Sequence, residues 1–117
     1  MMMFGTKCKQ GDIVIVPFPF TDLSSIKQRP VLILSSDKYN ESTEDIIVCG
    51  ITSNPKNTAH SVIITLQDLA EGRIPSTSRI KADKLFTLKQ TLIRSKIGTV
   101  RPAILKKVQE EIKALLG

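Results

Sequence analysis

Short β-branched runs, set too close together for helices to fit between them, constrain this sequence more than any other feature. Residues 12–18 open with alternating Ile and Val and read as a first strand. Pro17, Pro19 and Asp22 break it, so 19–28 is expected to be a loop. Residues 31–34, 46–52, 62–64, 84–88 and 96–100 are further strand candidates. Residues 37–45 read as a polar connection, 53–57 as a turn, and 72–78 as irregular around Pro75. The end of the chain differs. Ile104, Leu105, Val108, Ile112, Leu115 and Leu116 recur at helical spacing, with Lys106, Lys107, Glu110 and Glu111 opposite. Pro102 suits the first turn, so a helix is expected over 102–116. Connections this short exclude repeated parallel crossovers. The expected fold is mainly β: a small antiparallel barrel closed on itself, with one amphipathic helix across a face.

A chain of 117 residues allows one domain spanning 1–117, with 1–9 as a flexible N-terminus. No apolar run approaches the ~18 residues a membrane span needs. No stretch at the start has signal-peptide character, so a cytoplasmic protein with no membrane contact is expected. The net charge is +6, and residues 71–101 hold eight basic residues against two acidic ones. That quarter of the chain therefore carries the whole excess, the electrostatic footprint of a polyanion binder. Tyr39 and four phenylalanines are too few for an aromatic stacking platform.

Most familiar chemistries are absent. There is no phosphate-binding Gly-rich loop and no Ser/His/Asp order worth proposing. Cys8 and Cys49 make neither a disulfide framework nor a four-ligand zinc site, and His60 is the one histidine. No metal and no cofactor is expected. Cys49 reads as an inert core thiol, Cys8 as incidental in a loose terminus, and His60 as a surface or hydrogen-bonded side chain.

Two places stand out. In Lys27-Gln28-Arg29-Pro30 a basic cluster runs straight into an apolar strand, and Pro30 biases Arg29 to extended backbone. A guanidinium at a strand edge offers a planar fork of donors that matches phosphate oxygens. In Ile51-Thr52-Ser53-Asn54-Pro55 a buried strand ends in two hydroxyls and an amide, which either cap a turn or donate to a phosphate.

The ordered set Gly11-Asp12-Ile13-Val14-Ile15-Val16-Pro17-Phe18-Pro19-Phe20-Thr21-Asp22, Gln28-Arg29-Pro30-Val31-Leu32-Ile33-Leu34, Gly50-Ile51-Thr52-Ser53 and Asp83-Lys84-Leu85-Phe86-Thr87-Leu88-Lys89 resembles the MazF/PemK family of toxin endoribonucleases, on its PemK-like branch. The resemblance covers residues 10–116. It implies an SH3-like β-barrel with a C-terminal helix, a homodimer, and the toxin half of a type II toxin–antitoxin system. It further implies metal-independent, sequence-specific cleavage of single-stranded RNA. In that chemistry the ribose 2′-hydroxyl is the nucleophile, leaving 2′,3′-cyclic phosphate and 5′-hydroxyl ends. By the same resemblance Arg29 and Thr52 match the essential arginine and threonine. Thr21, Lys27, Gln28, Ser53, Asn54, Arg79, Asp83 and Lys84 are the expected RNA contacts. The implied protein partner is an antitoxin whose acidic tail folds into the groove. Because arginine side chains titrate above ~12 and make poor bases, charge stabilisation is the favoured role for Arg29. Two rivals remain: a toxin of the same fold that poisons DNA gyrase, and a nucleic-acid-binding regulator that does not cut.

Overall fold

The computed structural model describes residues 8–19 and 26–117. Residues 1–7 of the expected flexible terminus, and Thr21, lie outside them. Seven strands among the described residues form one sheet: β1 (Asp12–Pro19), β2 (Ile26–Ile33), β3 (Asp45–Thr52), β4 (Ser61–Ile64), β5 (Leu69–Gly72), β6 (Ser78–Lys89) and β7 (Ser95–Val100). The helices are α1 (Asp37–Ser42) and α2 (Pro102–Leu116). The strand order is β4-β6-β3-β2-β1-β7-β5, with every pairing antiparallel.

The mainly β antiparallel sheet with a C-terminal helix is as expected, but among the described residues no ladder joins its two edges into the closed barrel that the sequence pattern suggested. β4 and β5 are its two outer strands, and the chain joins them directly through a 3-10 turn at Leu66–Asp68. Asp68 fixes that turn by accepting from the Thr65 backbone N–H at 2.8 Å and from its hydroxyl at 3.2 Å. The result is a curled half-barrel, with α2 packed on β4 and β6 beside the gap.

Alternation along the strands sorts apolar side chains into two cores. Ile13, Leu32, Cys49, Ile51, Ile64, Ile80, Ala82 and Val100 face α2, which contributes Ile104 and Val108. Val14, Val16, Val31, Ile33, Ile46, Val48 and Cys8 form the second core on the other face. Fully burying each such aliphatic side chain contributes roughly 1.5–3 kcal/mol. Cys49 is the inert thiol the sequence implied: burial pushes its pKa up to about 12. Cys8 was expected in a loose terminus, but it is buried. Its thiol lies 3.6 Å from Gln90 Oε1, and its pKa is raised by burial first and by the Asp12 charge second.

Several boundaries differ from expectation, each for a local reason. β2 begins at Ile26, so Lys27 and Gln28 are strand residues and not loop residues. Pro17 and Pro19 belong to β1 beyond Ile15, where β7 has stopped pairing, so their missing N–H groups face a side with no ladder. The connection 37–45 contains α1, capped by Ser36 Oγ accepting from Tyr39 N. Asn40 anchors this short helix: fully buried, it donates to the carbonyls of Cys8 and Ser35 and accepts from Ser35 Oγ. Strand β5 was not anticipated, and β6 starts six residues earlier than residue 84.

Candidate active site

The sheet comes apart on both flanks of the end of β3. On the β2 side the ladder runs Ile33↔Val48, Leu32↔Cys49, Val31↔Gly50 and then stops. Pro30 comes next, and it has no N–H to offer β3. Continued by two residues, the same register sets Arg29 opposite Thr52. On the β6 side Cys49 pairs with Leu85 but Gly50 pairs with Lys81, so Ala82, Asp83 and Lys84 are extra residues. Ala82 stays with β4 through its N–H to the His60 carbonyl at 2.9 Å, and is buried in the first core. Asp83 and Lys84 are exposed in this bulge.

Gly50 lies between the two breaks. Its face of β3 carries Ile46 and Val48, which belong to the second core, and then Gly50 and Thr52. Where the next apolar side chain would sit there is none, and a groove of about 580 Å³ opens. Arg29, Pro30, Val31, Gly50, Ile51 and Thr52 line it from β2 and β3. Asn54, Lys56 and Thr58 line it from the β3–β4 loop, and Lys81 and Asp83 to Phe86 from β6.

The structure therefore brings Arg29, Thr52, Asn54, Asp83 and Lys84 to one groove. Arg29 and Thr52 are both half-buried, reachable yet held by their strands. Lys27, Gln28 and Ser53 are exposed outside the groove lining, and Arg79 is engaged elsewhere. Sequence reasoning missed Lys56, Thr58 and Lys81. Lys81 faces Gly50 directly, donates to Thr58 Oγ1 at 2.8 Å and stands 4.0 Å from Asp83 Oδ1. The alternation Arg79, Lys81 was the available signal, hidden because the bulge breaks the two-residue period immediately afterwards.

Part of the charge excess read from the sequence is neutralised by ion pairs within the protein. Lys89 pairs with Glu44, and Lys96 with Glu71 and the buried Asp12. Hydrogen bonds from Lys96 and Thr99 hold the Glu71 carboxyl below its ordinary pKa, and the bond to Glu71 raises that of Lys96. In the groove the balance is different: Arg29, Lys56, Lys81 and Lys84 line it against Asp83 alone. A concave, partly apolar site with four cations against one carboxylate is suited to a polyanion with exposed apolar faces. Among the described residues no group of three or more His, Cys, Asp or Glu could hold a metal ion, and no helix is long and apolar enough to cross a membrane.

Comparison with known proteins points the same way. The family model for PemK-like, MazF-like toxins of type II toxin–antitoxin systems matches residues 9–116. The endoribonuclease MazF6 of Mycobacterium tuberculosis is 30% identical over 91 residues, covering 77% of this chain and 79% of its own length. Among solved structures, a mycobacterial endoribonuclease in complex with its cognate antitoxin superposes with a TM-score of 0.77 at 22% identity, over 93% of this chain and 94% of that one. A MazE–MazF complex from Deinococcus radiodurans gives a TM-score of 0.72 at 23% identity, over 93% and 94%.

Proposed function

This chain belongs to the PemK-like, MazF-like toxin endoribonucleases of type II toxin–antitoxin systems, and from that membership we propose that the groove binds single-stranded RNA and cuts it by attack of the ribose 2′-hydroxyl on the adjacent phosphate. The observation that carries this reading is the placement of Arg29 and Thr52 on one cationic groove at the broken end of a ladder. In the reaction the 2′-oxygen bonds to phosphorus and the 5′-oxygen leaves, giving a cyclic phosphate and, after protonation, a 5′-hydroxyl. The nucleophile belongs to the substrate, so the protein's task is alignment and charge stabilisation. Negative charge grows on the non-bridging oxygens. Arg29 meets them with a fork of two donors, and the Thr52 hydroxyl supplies a third. Lys81 adds a fixed positive charge across from Gly50. Asp83 is the one carboxylate lining the groove among the described residues, and so the acceptor at hand, besides water, for the 2′-hydroxyl proton.

Lys56 and Lys84 attract the chain of phosphates, while Asn54 and Asp83 offer hydrogen-bonding groups to base edges. Thr21, Lys27, Gln28 and Ser53 remain proposed contacts beyond the groove floor. The same charge suits an acidic antitoxin tail, and the relatives solved with an antitoxin support a partner of that kind. We further propose a homodimer acting on mRNA in the cytoplasm.

The test is to incubate the pure protein with single-stranded RNA in excess EDTA and map the products. Discrete cuts bearing 2′,3′-cyclic phosphate and 5′-hydroxyl ends are expected. Tight binding without cuts would instead make the protein a regulator. RNA left intact while DNA gyrase is arrested would make it a gyrase poison.

A further inference from the structure

Arg79 was expected to contact RNA, yet its hydrogen bonds turn it towards its own protein. It pairs with Thr52 in the β3–β6 register. Its Nε donates to the Pro55 carbonyl at 3.0 Å, and its Nη1 donates to Ser61 Oγ at 3.1 Å. One guanidinium thus ties the chain three residues beyond Thr52 to the first residue of β4. Immediately before Pro55, Thr52 Oγ1 accepts the backbone N–H of Asn54 at 3.2 Å, and Asn54 Oδ1 reaches across Pro55 to accept that of Lys56 at 3.1 Å.

The bond from Asn54 decides what Thr52 can do. A threonine hydroxyl has one proton and two lone pairs. With a backbone N–H on one lone pair the oxygen is held in place, and its proton is left for an acceptor outside the turn. No acceptor among the described residues is recorded for it. The turn therefore presets Thr52 as a donor towards the groove it lines.

We propose that Arg79 is a positioning residue for cleavage: by holding the Pro55 carbonyl and Ser61, it keeps the Thr52–Asn54 turn closed and the Thr52 hydroxyl aimed at the scissile phosphate. This rests on the reading of Thr52 as a phosphate donor. Arginine suits the task because its donors leave the plane edge in fixed, divergent directions and span two acceptors at once. A lysine keeps the charge but is a single flexible point donor. That difference separates positioning from electrostatic steering, in which charge alone matters.

The test uses Arg79→Lys and Arg79→Met in the full chain. Steady-state cleavage of a single-stranded RNA oligonucleotide is measured beside the exchange of the Asn54 amide with water by 15N NMR. Both variants are expected to lower kcat by on the order of tenfold or more, with KM held within about threefold. Both are also expected to speed exchange at Asn54. Arg79→Lys keeps charge and strand, so its loss of kcat cannot be put down to lost steering. Full kcat in the lysine variant with a raised KM in the methionine variant would overturn the proposal. An Asn54 amide exchanging at the wild-type rate in both variants would overturn it equally. Should the unmodified chain cut no RNA, the reading of Thr52 falls by itself, and the exchange rates still decide whether Arg79 holds the turn.

Discussion

Arg29→Ala is expected to slow cleavage of single-stranded RNA by about 1,000-fold, close to 4 kcal/mol of lost transition-state stabilisation. The magnitude follows from where the charge is. Loss of one neutral donor to a developing oxyanion costs on the order of 100- to 1,000-fold, and a bidentate guanidinium is a stronger partner than one neutral donor. Arg29→Lys is expected to recover only part of the rate, because an ammonium cannot meet two oxygens in one plane. The fold should survive: Arg29 is half-buried in the middle of β2, just past the end of the β2–β3 ladder, and its backbone pairing with Val16 does not depend on its side chain. Single-turnover kinetics beside a thermal melt check both statements. Thr52→Ala added to Arg29→Ala should cost less than it does alone, since two groups acting on one phosphate do not contribute independently. A folded Arg29→Ala protein within tenfold of wild-type rate would remove Arg29 from the chemistry.

The second large effect concerns the fold. Gly72→Ala is expected to destabilise the protein by ~3 kcal/mol or more. Gly72 has φ +82°, a left-handed conformation that side chains resist, and it faces Gly98 across the β5–β7 ladder. A Cβ there would lie 2.2 Å from the Ile97 carbonyl oxygen and 2.4 Å from Gly98 Cα. Both are backbone atoms of the strand that holds β5, so they cannot swing aside as a flexible side chain would. Urea denaturation reads the loss directly. A change below ~1 kcal/mol would mean that β5 re-registers at little cost. Gly72 is not among the groove residues, so Gly72→Ala protein that is still folded should cut RNA at the normal specific rate.

What the sequence made legible follows from how local each signal is. The helix α2 announced itself through a six-residue apolar stripe, and β1 and β3 through β-branched runs, since each repeats one environment over several residues. β6 announced only its second half, 84–88, because Asp83 and Lys84 bulge out of the β3 pairing in mid-strand and leave 78–82 as a short, largely polar fragment. β5, Leu69–Gly72, has no β-branched residue and exists through its pairing with β7. Helix α1 is poor in helix formers and is held by the burial of Asn40, which no local pattern encodes. The site divides in the same way. Arg29 and Thr52 came from motif resemblance, and the β2–β3 register then brings them together. Lys56, Thr58 and Lys81 enter the groove through cross-strand pairing and a loop fold, neither of which single-chain spacing reveals. Arg79 was read as an RNA contact on charge, and its hydrogen bonds to the Pro55 carbonyl and Ser61 Oγ, which depend on how the chain returns into β4, could not be read from spacing.

The central claim is that the substrate supplies its own nucleophile while Arg29 and Thr52 stabilise the phosphate. A cleaved RNA oligonucleotide resynthesised with one 2′-deoxy nucleotide immediately 5′ of the scissile phosphate tests it most directly. The account predicts that this oligonucleotide binds as tightly as its parent and is not cut at that position. Cleavage there at the parent's rate would show that the attacking oxygen comes from elsewhere, and would contradict the mechanism.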